Sequence, residues 1–246
     1  MEHLMARKVA LITGGSRGIG AAIARRFAPT HDVVITYVGA TERAEALVEE
    51  LHATGARALA VRTEAADAAD LRAAVDRTVA EFGHVDVVVG NAGIAPYGPL
   101  ADVTLDEVDR TLAIHARASF LLAQAAAPHI PDGGRIVFIG SSLADRVPYA
   151  GWSLYAMSKS ALSGLAKGLA RDLGPRGITV NVVAPGSTDT EMNPSDGPDA
   201  DEERSFTALG RYCSPDDIAA TVAHLAGDGG RMITGAVLAV DAGVTA

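Results

Sequence analysis

The chain has 246 residues, of which 48% are hydrophobic and 21% charged, with a formal net charge of −9. This length suits one compact domain over residues 1–246, and the negative charge argues against nucleic acid or an anionic membrane as a main partner. The single cysteine, Cys213, cannot form an internal disulfide, and the first residues lack the pattern of a secretory signal. No apolar stretch approaches the roughly 18 residues of a membrane span. We therefore expect a cytoplasmic protein.

Short apolar runs alternate with helical patterns along the chain. The apolar runs predict buried strands at residues 9–12, 33–35, 58–61, 85–89, 136–139 and 178–183. Helical periodicity predicts helices near residues 18–28, 41–54, 67–82, 104–128 and 155–174. Continuous β-branched strands separated by helices predict an α/β fold, a single Rossmann-type, doubly wound, mostly parallel sheet with helices on both faces.

A glycine-rich turn directly follows the first strand. Its eight residues are Thr13-Gly14-Gly15-Ser16-Arg17-Gly18-Ile19-Gly20. Glycine lets the backbone turn tightly and lets a ligand approach without a Cβ clash. The turn opens a helix whose free amides and positive dipole end would face a pyrophosphate. Its position between a strand and a helix therefore predicts a dinucleotide site, because a glycine cluster alone would be weak evidence.

The charges after the second strand indicate which dinucleotide binds. A 2′-hydroxyl is usually held by an acidic residue at the end of that strand, whereas a 2′-phosphate needs a cation. The strand ends at Tyr37, and no acidic residue follows before Glu42. Arg17 and Arg43 supply cations, so the pattern favours NADP(H) over NAD(H).

Tyr155 and Lys159 are four residues apart and so share one face of the predicted helix. A free tyrosine has a pKa near ~10, and a nearby positive charge can lower it. We expect Lys159, together with an oxidised nicotinamide ring, to do so, making Tyr155 a general acid and base. Ser142 follows a strand and precedes Tyr155 by thirteen residues, which makes it a candidate donor to a carbonyl oxygen.

A capping box at Thr104 and Glu107 begins the fourth predicted helix. His115 falls on the apolar stripe of that helix and is expected to point inward.

Residues 187–210 differ in composition from the rest of the chain. Up to residue 204 they contain seven acidic residues, two prolines and no strong periodicity. Long irregular segments in compact domains are usually functional or disordered. We interpret this segment as a substrate lid, with a mobile surface loop as the alternative.

Together these motifs resemble the short-chain dehydrogenase/reductase family over essentially the whole chain. The shared motifs are Thr13-Gly14-x-x-x-Gly18-x-Gly20, Asn91-Ala92-Gly93, Ser142, Tyr155-x-x-x-Lys159 and Pro185-Gly186. Within the family the chain looks most like the bacterial 3-oxoacyl-acyl-carrier-protein reductase group. The resemblance implies a seven-stranded sheet and a homotetramer in which helices 104–128 and 155–174 pack between subunits.

The resemblance also implies which residues bind the cofactor, with no metal site. These candidates are Gly14, Ser16, Arg17, Gly18, Ile19, Gly20, Tyr37, Glu64, Ala65, Asn91, Ala92, Gly93, Tyr155, Lys159, Pro185, Gly186, Thr188 and Thr190. Glu64 stands where the family commonly has an aspartate near the adenine. His115 stands in place of the family's helix asparagine, which positions a water in the proton relay. We hypothesise that His115 takes over that role and makes activity more sensitive to pH, because histidine titrates near neutrality.

The predicted function is reduction of a ketone by NADPH, or the reverse oxidation of a secondary alcohol. Pro96-Tyr97, Val147-Pro148-Tyr149 and Trp152 are candidate walls of the substrate pocket. An acidic carrier protein would be repelled by an acidic lid, so a free small ketone ranks above a carrier-bound acyl chain. The alternatives are a 3-oxoacyl-acyl-carrier-protein reductase, an NAD-dependent alcohol or sugar dehydrogenase, and a non-catalytic dinucleotide-binding protein.

Overall fold

Seven parallel strands form one sheet in the order β3-β2-β1-β4-β5-β6-β7 in a computed structural model that describes residues 7–246. The strands are β1 Lys8–Ile12, β2 His31–Tyr37, β3 Ala58–Arg62, β4 Val87–Gly90, β5 Arg135–Ile139, β6 Thr179–Pro185 and β7 Val237–Val240. The helices are α1 Gly18–Phe27, α2 Thr41–His52, α3 Ala68–Phe82, α4 Leu105–Leu112, α5 Ala118–Ala126, α6 Ser153–Leu173, α7 Ala200–Ser205 and α8 Pro215–Ala226. The predicted doubly wound, seven-stranded sheet is confirmed, and every strand pair in it is parallel.

Helices cover both faces of the sheet, which is why the central strands are apolar on both sides. One core layer contains Ile23 of α1 and Ile218 of α8, and the other contains Val75 of α3 and Leu162 of α6. All seven residues of β6 are buried. Strands covered on both faces are expected to be continuous rather than alternating runs of apolar residues.

Two helices, α7 and α8, were not among the predicted elements. Ser214 and Asp217 form a capping box with Pro215 at the first position of α8, so the start signal was present in the sequence. The predicted strand at residues 85–89 begins later, at Val87, because the Val85 amide donates to the His129 carbonyl outside the ladder.

The fourth predicted helix contains one turn of π-helix. The capping box predicted at Thr104 and Glu107 is present, and α4 and α5 are joined by a π-helical turn over Ala113–Arg117. His115 lies on this turn and is 2% exposed, which confirms that it points inward. Turns of this kind are found frequently at functional sites.

The strand order reverses between β1 and β4. The chain leaves β1 for β2 and β3 on one side and returns to β4 on the other. The loops after β1 and β4 therefore diverge and leave a crevice at the carboxyl ends of the strands, where open α/β sheets bind ligands. Among residues 7–246, no helix combines the length and the apolarity needed to cross a membrane.

Candidate active site

A cleft of about 1020 Å³ opens at the carboxyl ends of the strands. Every residue predicted to bind the cofactor lines it, from Gly14 in the first turn to Thr190 after β6. Three of the four predicted catalytic residues, Ser142, Tyr155 and Lys159, also line it, whereas His115 lies behind its surface. The cleft can therefore hold a dinucleotide together with a small substrate.

The glycine turn forms the part of the cleft next to the start of α1. Gly14 has a φ of +63°, and a Cβ added to Gly20 would lie 2.4 Å from the Gly14 carbonyl oxygen. The Asn91 side chain braces the turn, because its Nδ2 donates to the carbonyls of Thr13 at 2.9 Å and Gly14 at 3.0 Å. Gly18, Ile19 and Gly20 at the start of α1 line the cleft, so a pyrophosphate bound there would meet the positive end of the helix.

Two arginines converge beside the end of β2. Arg43 Nη1 lies 2.8 Å and 2.7 Å from the two carboxylate oxygens of Glu191, and Arg17 Nη1 lies 3.2 Å from one of them. Hydrogen bonds from Arg43 and then Arg17 lower the pKa of Glu191. The pair of guanidinium groups fits a cofactor 2′-phosphate, as the sequence predicted, but the neighbouring carboxylate of Glu191 was not foreseen.

Ser141, rather than the predicted Ser142, is the serine beside the Tyr155 phenol. Its backbone is extended, with φ −163°, and Ser142 begins the short 3₁₀ turn that follows. The Ser141 Oγ accepts a hydrogen bond from the Leu143 amide at 3.1 Å, and a side-chain hydrogen bond links it to Tyr155. The spacing of thirteen residues selected Ser142, but Ser141 is the last extended residue and Ser142 already belongs to the turn, so the serine hydrogen-bonded to the phenol is Ser141.

Burial determines the ionisation of Tyr155 and Lys159. Burial raises the pKa of the Tyr155 phenol, and only the hydrogen bond with Ser141 acts against it. Burial also lowers the pKa of Lys159 to about 8, and its Nζ donates to the Ile139 carbonyl at 2.9 Å. The Nζ lies 5.7 Å from the centre of the Tyr155 ring. In the protein by itself the phenol therefore keeps its proton at neutral pH, and the expectation that Lys159 together with an oxidised nicotinamide ring makes it acidic stays a prediction for the cofactor-bound state.

Both ring nitrogens of His115 are used in protein contacts. Nε2 accepts a hydrogen bond from the Ile94 amide at 3.0 Å, so Nδ1 carries the hydrogen and donates it to Ser158 Oγ at 2.7 Å. Ser158 in turn donates to the Tyr155 carbonyl at 2.7 Å. The ring thus ties the loop after β4 to helix α6 at Ser158, the residue before Lys159, and has no nitrogen left for a relay water.

These contacts argue against the hypothesis that His115 makes activity sensitive to pH. Burial, followed by the charge of Lys159, lowers the pKa of His115 to about 3. The ring remains neutral throughout the pH range in which an ordinary histidine titrates. It acts as a positioning residue for the loop and for α6.

Aromatic rings line the substrate side of the cleft, next to Tyr155. The Trp152 ring centre is 5.4 Å from that of Tyr155 and 5.1 Å from that of Tyr97, and Tyr149 lies 5.5 Å from Phe206. Tyr97, Pro148, Tyr149 and Trp152 line the cleft as predicted, whereas Pro96 and Val147 do not. Phe206 and Met192 were not predicted, because no sequence motif marks a wall contributed by a distant loop.

Residues 187–210 border this cleft and carry internal structure. The segment contains α7, and Asn193 Nδ2 donates to Glu203 Oε2 at 2.8 Å. The Ser195 amide donates to Asp189 Oδ1 at 2.9 Å. The segment is thus held by side-chain contacts and is placed to cover the cleft.

Comparisons with known proteins agree with this geometry. A family model described as enoyl-(acyl carrier protein) reductase matches residues 14–245. A blue fluorescent protein from a metagenomic library, solved in complex with NADPH, is 55% identical, with 97% of this chain and 98% of that chain covered and a TM-score of 0.95. A short-chain dehydrogenase from Burkholderia cenocepacia J2315, solved in complex with NADP, is 54% identical, with 100% of both chains covered and a TM-score of 0.96. The cyclic-di-GMP-binding biofilm dispersal mediator protein of Escherichia coli K12 is 46% identical, with 95% of each chain covered.

Replacing His115 by asparagine tests its neutral, buried state. An unfolded histidine gains a proton below a pH of about 6.5, whereas the folded ring does not, so acidification favours unfolding. Between about pH 7.5 and about pH 5 this histidine should remove about 2 kcal/mol from the free energy of unfolding. In urea titrations His115→Asn should lose that part of the pH dependence, whereas the matched change His52→Asn, at an exposed histidine, should keep it. An unchanged pH dependence in His115→Asn would show that the ring is protonated in the folded state.

Proposed function

The chain belongs to the short-chain dehydrogenase/reductase family and is an NADP(H)-dependent oxidoreductase that interconverts a ketone and a secondary alcohol, and we propose that Tyr155 is its general acid and base. The observation that carries this role is the partly buried Tyr155 side chain in the cleft wall, hydrogen-bonded to Ser141. A phenol with a raised pKa holds its proton at neutral pH. It is therefore in the protonated form that donation to a ketone oxygen during reduction requires.

Ser141 acts as the second donor to the carbonyl oxygen. Its Oγ accepts the Leu143 amide hydrogen and shares a side-chain hydrogen bond with Tyr155, so a ketone oxygen placed between the two hydroxyls would receive the Ser141 hydrogen. A donor held in place before reaction stabilises the negative charge that develops on the oxygen. In the oxidation direction the same two groups receive the alcohol, and Tyr155 accepts its proton as a phenolate, which the Lys159 ammonium and an oxidised nicotinamide ring would favour.

Lys159 orients groups around Tyr155. Its ammonium group has three hydrogens, and the Ile139 carbonyl takes one. The other two are available to the phenol and to a ribose hydroxyl of the cofactor. When bound, NADPH supplies the hydride. The first turn of α1 would hold its pyrophosphate, and Arg17 with Arg43 would hold its 2′-phosphate.

The proposed substrate is a free, uncharged ketone with an apolar or aromatic body. Trp152, Tyr149 and Phe206 offer ring surfaces beside Tyr155. Three carboxylates, those of Asp199, Glu202 and Glu203, also line the cleft. Burial and then these carboxylates raise the pKa of Tyr149 to about 12, which places their negative charge near the ring wall. An acyl carrier protein is acidic and would be repelled there, so carrier-bound acyl chains rank second.

We propose that the chain acts in the cytoplasm as a homotetramer of single-domain subunits. Phe120 on α5 and Met157 on α6 are about half exposed, and their burial against other subunits would remove apolar surface from water. These are the helices that family resemblance places between subunits.

Cyclic-di-GMP is a second candidate ligand, favoured by the similarity to the Escherichia coli protein that is named for binding it. Its two phosphates would meet Arg17, Arg43 and the start of α1, so it should displace NADPH in a fluorescence competition titration. Unchanged NADPH fluorescence up to high micromolar cyclic-di-GMP would remove this candidate.

Substitutions at three positions test the catalytic assignment. Tyr155→Phe should lower kcat by about 10²–10⁴-fold, because the proton donor is lost. Ser141→Ala should lower kcat by about 10²–10³-fold, as is typical for loss of one donor to the developing oxyanion. Ser142→Ala is the matched control and should change kcat by less than about tenfold, because Ser141 supplies the donor.

NADPH affinity, measured by fluorescence, should stay within about twofold in all three variants, because none of them removes a phosphate contact. A Ser142→Ala variant as impaired as Tyr155→Phe, beside an active Ser141→Ala, would restore the sequence-based choice of serine.

The substrate class can be tested with matched ketones. Neutral aryl ketones should have kcat/KM values above those of carboxylate-bearing analogues and of 3-oxoacyl-coenzyme A. Phe206→Leu should lower kcat/KM for aryl ketones by about 2–10-fold, which corresponds to the loss of one aromatic contact. The kcat/KM values for aliphatic ketones should be nearly unchanged. Glu202→Gln should improve the anionic analogues selectively. Preference for the coenzyme A thioester would instead support the carrier-bound alternative.

A further inference from the structure

One carboxylate connects three separate parts of the chain at the mouth of the cofactor cleft. Glu191 belongs to the segment 187–210, Arg17 to the glycine turn and Arg43 to the first turn of α2. Glu191 contacts Nη1 of both arginines, and Arg43 meets both of its oxygens. The side chains are about half exposed, so each pair is weak by itself. The ion pairs matter because the same guanidinium groups would bind the 2′-phosphate of the cofactor.

A 2′-phosphate and the Glu191 carboxylate need the same donors. Both are anions that bind the planar N–H groups of arginine, and a phosphate monoester carries a charge near ~−2 at neutral pH. If both anions bound Arg17 and Arg43 together, they would repel each other and would have to share the same N–H donors. A 2′-hydroxyl differs because it is neutral and can donate a hydrogen bond to a carboxylate.

We propose that Glu191 is a cofactor-specificity residue that competes with the 2′-phosphate for Arg17 and Arg43. Binding of NADP(H) then requires the carboxylate to leave the arginines, whereas NAD(H) lets it stay and accept the 2′-hydroxyl. Glu191 reduces the preference for NADP(H) that the two arginines alone would give. This inference rests on the proposed placement of the 2′-phosphate between the arginines.

Release of Glu191 also acts on the substrate side of the cleft. Glu191 lies in a tight turn in which the amides and carbonyls of Thr190 and Asn193 pair at 3.1 Å and 3.3 Å. The Asn193 side chain holds Glu203 of α7, and Phe206 follows directly after that helix. Binding of the 2′-phosphate would therefore break one of the contacts that hold the segment 187–210, which carries the acidic residues and Phe206 that line the substrate side of the cleft.

Binding measurements with cofactors and their adenosine halves test the competition. The probes are NADPH, NADH, 2′,5′-ADP and 5′-AMP, and the last two lack the nicotinamide half. Glu191→Gln should raise the affinity for NADPH and for 2′,5′-ADP by roughly three- to tenfold, because one or two exposed ion pairs no longer have to be broken when the phosphate binds. Binding of NADH and of 5′-AMP, which both carry the 2′-hydroxyl, should be unchanged or weaker. Asp196→Asn, which removes the same charge from an exposed position of the same segment outside the cleft, should change the affinities by less than about twofold.

A double-mutant cycle separates this inference from its premise. The double variant Arg17→Gln, Arg43→Gln should bind NADPH and 2′,5′-ADP more weakly, with little change for NADH and 5′-AMP. Adding Glu191→Gln to this double variant should have no further effect on the affinity for NADPH or 2′,5′-ADP. Unchanged NADPH affinity in the arginine variants would reject the phosphate placement. With that placement intact, three results would overturn the competition: an unchanged or weakened NADPH affinity in Glu191→Gln, an equal gain for NADH in that variant, or an equal gain for NADPH in Asp196→Asn.

Hydrogen exchange gives a readout independent of affinity. Saturating 2′,5′-ADP should raise amide exchange at residues 187–204 in the wild-type protein and have little effect in Glu191→Gln, whose segment already lacks the ion pairs. Saturating 5′-AMP should leave exchange there unchanged in both. Equal protection of the segment by the two nucleotides would contradict release by the phosphate. Ketone turnover is a separate measurement, so loss of turnover with intact binding would count against the catalytic assignment alone.

Discussion

Removal of water from the wall of the cleft is the constraint on which the site chemistry depends. Burial raises the pKa of Tyr155 and lowers those of Lys159 and His115, so each group is pushed toward its uncharged form. The fold opposes this cost with specific partners, namely Ser141 for the phenol and the Ile139 carbonyl for the ammonium. A protonated phenol and a neutral imidazole follow directly, and both suit a site that delivers a proton to a ketone.

The π-helical turn explains how a histidine can occupy an asparagine's place. The extra residue in the turn over Ala113–Arg117 directs the His115 ring between the loop after β4 and helix α6. There the imidazole provides one acceptor and one donor, which is what an amide would also provide. Its basicity is suppressed by burial, so it retains the hydrogen-bonding capacity of histidine without its usual titration.

The segment 187–210 links the two halves of the cleft through charge. Its acidic residues fall into two groups: Glu191 faces the arginines of the cofactor side, and Glu202 with Glu203 faces the aromatic wall. Because the segment has contacts on the cofactor side and on the substrate side, binding of either ligand can change its position. Its composition indicated a lid, but which acidic residue meets which partner depends on the turn at Thr190 and on α7.

The sequence by itself determined the parallel sheet, the glycine turn, the pairing of Tyr155 with Lys159 and the inward direction of His115. These follow from local rules, because strand and helix periods and fixed offsets along one helix need no distant partner. Only the tertiary structure decided that Ser141 stands beside Tyr155, that both nitrogens of His115 are occupied, and that Glu191 meets Arg17 and Arg43. Those outcomes depend on where loops distant in sequence come together and on how much water they exclude, and no spacing along the chain encodes either one.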